Sequence, residues 1–163
     1  MSDSVIGLAI PAALAAIGWW WQRLQERRSV RVAIVAEVLA LKDIAEERKY
    51  YSGLIQMAEY LESMPGEQRE NASLQVRIHE HYRRVYTANI DKLGYLTPRD
   101  AQLVVRFYQY VDSVVTDVTE GGAIYEGTGD PIAYREAAAI LQKAMAVANE
   151  IQRRYHGRWW NRC

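Results

Sequence analysis

The sequence has almost no cysteine and no excess of either sign of charge. Its one cysteine, Cys163, is the last residue and has no partner in the chain, which excludes an intrachain disulfide framework and suits a reducing compartment. Neither sign of charge is in excess, because 20 Lys and Arg residues balance 20 Asp and Glu residues. The chain therefore lacks the general basic field that holds nucleic acid, and we expect no nucleic-acid partner.

Phenylalanine is also nearly absent, with one residue against 11 Tyr and 5 Trp. Tyrosine and tryptophan have apolar bodies and polar tips, so they suit half-wet surfaces, interfaces and membrane boundaries. Apolar residues make up 50% of the chain and charged residues 25%, which excludes wholesale disorder. A length of 163 residues indicates one domain with an appendage.

The longest uncharged run lies near the N-terminus. Val5–Trp21 spans about 26 Å as a helix, close to the roughly 30 Å of a hydrocarbon core. Membrane helices tolerate a proline such as Pro11, and Trp19, Trp20 and Trp21 lie where an interfacial aromatic belt belongs. This segment predicts a transmembrane helix. An apolar helix buried against the body or a partner is the alternative.

The basic residues around this run predict its orientation. Arg23, Arg27 and Arg28 follow the tryptophans, whereas Asp3 is the one charged side chain before the run. The positive-inside rule then gives a single-pass protein of the cell inner membrane, with its N-terminus outside and its C-terminal domain cytoplasmic. The start of the chain lacks the basic residues of a cleaved signal peptide.

The sequence after the N-terminal run predicts a series of helices. An apolar stripe predicts one helix from Trp21 to about Ser63, with a bend near Ser52–Gly53. In residues 74–81, Leu74, Val76 and Ile78 alternate with polar side chains as in a strand, but no second strand is available for pairing. Whether this stretch is strand or helix stays open.

Clearer boundary signals follow. Gly94 is expected to end a helix in the left-handed region, Thr97 caps the next helix, and Asp130–Pro131 starts the last one. The predicted fold is all-α, with an N-terminal transmembrane helix running into a roughly four-helix antiparallel bundle-like domain. We predict an anchor over residues 1–22, a cytoplasmic helical domain over 23–157 and a basic aromatic tail over 158–163.

No set of residues indicates catalysis, and we assign no catalytic, cofactor-binding or metal-binding residues. His79-Glu80-His81 lacks the spacing of a helical zinc motif and is better explained as a solvated charged segment. Glu37 and Glu47 lie on or near an apolar stripe, and we expect them to pair with arginines across the domain.

The C-terminal tail combines Trp159 and Trp160 with flanking arginines. Such a pattern suits the anionic surface of a membrane leaflet, where it would give the anchored protein a second contact. Packing of the two tryptophans on the helical domain explains the pattern equally well.

Residues 85–96, which read Val-Tyr-Thr-Ala-Asn-Ile-Asp-Lys-Leu-Gly-Tyr-Leu, precede a helix that carries Phe107-Tyr108. This order of Tyr-x-Ala-Asn, Leu-Gly-x-Leu and Phe-Tyr resembles small bacterial membrane-anchored helical proteins of unknown activity. The resemblance implies a helical hairpin in which Tyr86, Asn89, Phe107 and Tyr108 pack together or form a shared surface.

Together these features predict a membrane-anchored, non-catalytic helical interaction or scaffold protein. Its expected partners are membrane lipid and either another protein or a second copy of itself. One alternative is an envelope protein of a phage or mobile element that acts in exclusion or lysis. A second alternative is a metal-binding or enzymatic helical protein that uses His79 and His81.

Overall fold

The computed structural model describes residues 3–66 and 69–155, with side chains from residue 14 onward. Every regular element in these ranges is helical, so the predicted all-α class is confirmed. The elements are α1 (Asp3–Glu47), α2 (Tyr50–Ser63), α3 (Arg84–Ala88), a 3-10 helix (Ile90–Tyr95), α4 (Pro98–Val118), α5 (Ala123–Glu126) and α6 (Pro131–Tyr155).

Helix α1 is 45 residues long and joins the predicted anchor to the body without a break. It ends at a sharp turn in which Lys49 adopts the left-handed conformation, with φ 54° and ψ 36°. The bend predicted at Ser52–Gly53 is wrong, since α2 continues through both residues and the Gly53 N–H donates to the Lys49 carbonyl at 3.0 Å. A glycine lowers helix propensity without dictating a break, whereas a left-handed residue ends the helix.

Residues 72–78, termed the extended segment, are not helical. Ala72, Leu74, Val76 and Ile78 are half-buried and the residues between them are exposed, as the period-two alternation indicates. Three alternate N–H groups donate to carbonyls outside the segment: Ala72 to Thr128, Leu74 to Ile124 and Val76 to Val118. Backbone N–H groups of the segment are therefore paired with carbonyls of a loop and of helices α4 and α5. The segment forms one β-bridge, between Ala72 and Thr128.

The signals around α4 are confirmed in part. Thr97 Oγ1 accepts a hydrogen bond from the Asp100 N–H at 3.2 Å, and Pro98 occupies the first turn of α4. The role predicted for Gly94 is wrong, because this residue lies inside the 3-10 helix and its φ is not positive. The helical stretch continues to Tyr95, and the chain turns extended at Leu96.

Two hydrophobic cores lie along α4 and α6, which pack against each other. The first core joins the middle of α1 to the N-terminal half of α4 and the C-terminal half of α6, and includes Ile34, Phe107 and Val147. The second core joins α2 and α5 to the opposite halves of the same two helices, and includes Leu54 and Tyr134. The body is thus built around α4 and α6, while α1 extends beyond it.

Candidate functional site

Residues 14–25 of α1 are not covered by any other part of the chain that the structure describes. All twelve are exposed, and from residue 14 onward the first buried side chain of the helix is Val30. Trp19, Trp20 and Trp21 are 60%, 59% and 61% exposed. Residues 14–29, termed the tryptophan arm, therefore precede the part of α1 that enters the first core. The C-terminal end of the arm touches the body, where Lys92 Nζ lies 3.1 Å from Glu26 Oε1. Exposed apolar groups on this scale mark surfaces that bind another molecule.

Cations lie beside the arm's aromatic rings. The Arg23 guanidinium is 5.0 Å from the ring centroid of Trp19, within cation–π range. Arg27 lies 5.6 Å from the ring of Tyr95 in the 3-10 helix. The structure therefore brings the predicted interface residues Trp19, Trp20, Trp21, Arg23, Arg27 and Arg28 together on one helix.

Among the residues described with side chains, no helix is both long and apolar enough to cross a membrane. The predicted span begins at Val5, and the structure does not describe the side chains of its residues 5–13. Trp159 and Trp160 of the predicted tail also lie outside the described residues.

Three residues of the helical-hairpin motif are buried and form an aromatic group. The rings of Phe107 and Tyr108 meet edge to face with centroids 5.2 Å apart, and Tyr86 stacks on Tyr108. The Asn89 side-chain amide donates to the Val85 carbonyl at 2.8 Å. The motif thus joins α3 to α4 inside the first core.

Glu37 binds this aromatic group rather than an arginine, so the predicted ion pair of Glu37 is wrong. Its carboxylate accepts the N–H groups of Val85 and Tyr86 at 2.8 Å each and the Tyr108 hydroxyl at 2.6 Å. The first turn of a helix leaves N–H groups unpaired, and a carboxylate satisfies two of them at α3. Glu47, the other candidate, is exposed at the end of α1.

A second carboxylate that binds a tyrosine is that of the half-buried Asp112, which accepts hydrogen bonds from the Tyr82 hydroxyl and the Arg83 guanidinium. Burial and the hydrogen bond to Asp112 raise the pKa of Tyr82. Burial and the hydrogen bond to Glu37 raise the pKa of Tyr108 in the same way. Both phenols thus stay protonated and act as hydrogen-bond donors to the two carboxylates.

Asp100 links the start of α4 to the end of α6. Its buried carboxylate accepts hydrogen bonds from Thr97 Oγ1 at 2.7 Å, Arg154 Nε at 2.7 Å and the Tyr155 hydroxyl at 2.8 Å. Burial alone would raise the pKa of Asp100, but the three hydrogen bonds and the Arg154 charge outweigh it and lower the pKa. Nothing in the sequence near Asp100 identifies these two α6 partners, which lie 54 and 55 residues away along the chain.

His79 and His81 lie close together on the surface, with ring centroids 5.6 Å apart. The part of the chain that the structure describes contains no group of three or more His, Cys, Asp or Glu side chains that could hold a metal ion. His156 lies outside the described residues.

An apolar cavity of about 360 Å³, partly open to solvent, is lined by residues of both cores. Five segments form its apolar walls: Leu41 and Ile44 of α1, Tyr50 and Leu54 of α2, Leu74, Val76 and Ile78 of the extended segment, Phe107, Val111, Val114, Val115 and Val118 of α4, and Leu141, Ala144 and Met145 of α6. Its volume lies within the roughly 300–1,000 Å³ of small-molecule sites. The sequence does not predict this cavity, because the alternation of Leu74, Val76 and Ile78 indicates which side chains face inward but not what they face.

The charged side chains that line the cavity are all basic. They are Lys42, Arg48 and Arg77, joined by the ionisable ring of His79. Lys42 is buried and binds Gln152 and Glu46, whereas Arg48, Arg77 and His79 are exposed and therefore lie where the cavity meets solvent.

Comparison with protein-family models, with curated proteins and with solved structures finds no match to this chain. The function must therefore be inferred from the arm, the body and the cavity themselves.

Proposed function

We propose that the protein is a membrane-anchored, non-catalytic helical interaction protein, attached through α1 with its helical body on the cytoplasmic side. The proposal keeps the predicted division into an anchor, a roughly four-helix antiparallel bundle-like domain and a basic aromatic tail. It also fits the resemblance to small bacterial membrane-anchored proteins.

The exposure of the tryptophan arm is the observation that supports attachment best. Trp19, Trp20 and Trp21 are each about three-fifths exposed on a part of α1 that no other described residues bury. A helix bearing this much exposed aromatic surface is costly in water and favourable at a membrane boundary, where tryptophan concentrates. The uncharged run before the arm supplies apolar length that could enter the bilayer.

The order of charges along α1 supports a cytoplasmic body. Arg23, Arg27 and Arg28 follow the tryptophans directly and are exposed. Anionic lipids attract such juxtamembrane cations by roughly 1 kcal/mol each. Membrane lipid is therefore the first partner that we propose, in the cell inner membrane.

The body supports an interaction role rather than a catalytic one. The polar networks of Glu37, Asp100 and Asp112 each join helices to one another and use their hydrogen-bonding groups within the fold. A second protein, or a second copy of this chain, would then bind the surface of the body. Chemical cross-linking in intact membranes, followed by solubilisation, should recover a discrete complex. Recovery of the monomer alone would contradict this part of the proposal.

Membrane attachment can be tested by flotation of the full-length chain on vesicles that contain anionic lipid. We expect the unmodified protein to float with the vesicles. The variant Trp19→Ser/Trp20→Ser/Trp21→Ser should float less, because the aromatic surface that favours the boundary is gone. A matched control is Tyr60→Ser/Ile90→Ser/Ile132→Ser, which removes three exposed apolar side chains from the body.

The two variants distinguish attachment through the arm from nonspecific hydrophobic adsorption of the body to the vesicles. Equal loss of flotation in both would contradict a specific role for the arm. Failure of the unmodified chain to float at all would contradict membrane attachment. A C-terminal alkaline phosphatase fusion tests orientation separately, because activity of that reporter would place the body outside the cytoplasm.

A further inference from the structure

We propose that the cavity between the two cores binds one long-chain fatty acid, with the acyl chain against the apolar walls and the carboxylate at Arg48 and Arg77. This assignment does not rest on membrane attachment, because the cavity belongs to the helical body. It gives the protein a small-molecule ligand in addition to its proposed macromolecular partners.

The size of the cavity fits one acyl chain. An apolar cavity of about 150 Å³ accommodates benzene, with its six carbons. In proportion, the 360 Å³ between the cores accommodates about fourteen carbons. A two-chain phospholipid could not place both chains inside, whereas a single chain of this length can.

The positive charge of the lining favours a ligand with an anionic head group. Arg48 from the end of α1 and Arg77 from the extended segment are both exposed lining residues. No Asp or Glu is among the described residues that line the cavity. Two acidic residues next to the lining, Glu46 and Asp112, bind the lining side chains of Lys42 and Tyr82. Each carboxylate is already paired with a cation, Glu46 with Lys42 and Asp112 with Arg83.

This charge pattern favours an anion over other occupants. An arginine guanidinium binds a carboxylate through charge-assisted hydrogen bonds, and those to charged groups are the stronger ones. A neutral apolar molecule would gain nothing from Arg48 and Arg77. The chain's own tail, residues 156–163, carries Arg158 and Arg162 and would bring like charges to the opening.

Photo-cross-linking can locate the ligand in the unmodified protein. The full-length chain is mixed with phosphatidylcholine vesicles that carry palmitic acid with a diazirine near the end of its chain. After irradiation, mass spectrometry identifies the labelled peptides. We expect cross-links near Val114, Val115 and Met145, which line the cavity on α4 and α6. Labelling confined to the arm would overturn the proposal while leaving membrane attachment intact.

Two charge-reversed variants test the head group. Arg48→Glu/Arg77→Glu should lower cavity labelling by the acid about tenfold or more, since two charge-assisted partners are lost. Arg84→Glu/Arg153→Glu makes the same change in net charge at exposed positions outside the lining and should label like the unmodified chain. Thermal unfolding of both variants checks that each is folded.

A neutral probe completes the test. The corresponding hexadecanol diazirine should label the cavity weakly and equally in all three proteins. Equal labelling by acid and alcohol, unchanged by Arg48→Glu/Arg77→Glu, would overturn the carboxylate assignment. If the acid labels the cavity only after removal of residues 156–163, the tail is the native occupant and the proposal is wrong.

Discussion

The ring of Tyr86 stacks on the ring of Tyr108, with centroids 3.9 Å apart and planes 16° apart. Tyr86 lies in the short helix α3, and Tyr108 lies in the middle of α4. Glu37 of α1 binds both, through the Tyr86 N–H and the Tyr108 hydroxyl. This one carboxylate thus connects the helix that carries the tryptophan arm to the core of the body.

Replacing Tyr108 by Phe tests that connection. The variant keeps the ring and its stacking but removes the donor to Glu37, and a hydrogen bond to a charged group contributes about 1.5–3 kcal/mol. We expect the free energy of unfolding in urea to fall by that amount. Tyr110→Phe is the control, because the Tyr110 hydroxyl lies at the surface, 3.4 Å from Arg106, and its loss should change stability by less than about 0.5 kcal/mol. Equal losses would show that the Glu37 connection contributes little.

The hydrogen bonds to Asp100 predict a pH dependence of stability. Because the folded pKa is lowered, Asp100 stabilises the fold above its unfolded pKa of about 3.9, and this contribution is lost as pH falls through the lower folded value. Asp100→Asn should therefore be less stable than the unmodified chain at pH 6, with the gap narrowing below pH 4. Thermal melts across pH 3–6 measure the gap. Asp91→Asn, at an exposed position, should keep the profile of the unmodified chain, and a constant gap for Asp100→Asn would refute the prediction.

Two glycines should respond in opposite ways to alanine. A Cβ on Gly122 would collide with the backbone carbonyls of Thr116 and Asp117, so Gly122→Ala should cost about 2 kcal/mol or more. A Cβ on Gly53 meets nothing within 4 Å. Since alanine is the better helix former, Gly53→Ala should stabilise α2 by up to about 1 kcal/mol. Urea denaturation of both variants checks the signs, and destabilisation by Gly53→Ala would contradict the uninterrupted α2.

Local signals in the sequence predicted part of the local structure. The helical class and the Thr97 cap follow from patterns within a few residues, and the alternation of Leu74, Val76 and Ile78 indicates which side chains face inward without deciding between strand and helix. The glycines at 53 and 94 were misleading, because both lie inside helical stretches. The turn at Lys49 did not follow, because a lysine in the left-handed conformation carries no sequence signal of its own.

The candidate sites depended on distant contacts that no local pattern contains. The tryptophan arm could be identified from its composition, but its exposure follows from where the body begins on α1. The partners of Glu37 lie 48 to 71 residues away along the chain. The cavity forms where two cores leave a gap, so it depends on the packing of five segments at once.

The environment of the arm's tryptophans in the presence of lipid tests the central proposal most directly. In the background Trp159→Phe/Trp160→Phe, all remaining tryptophan fluorescence comes from Trp19, Trp20 and Trp21. When vesicles with anionic lipid and brominated acyl chains are added to the full-length chain, we expect the emission to shift to the blue and to be quenched. Emission that neither shifts nor quenches at excess lipid would contradict membrane attachment through the arm.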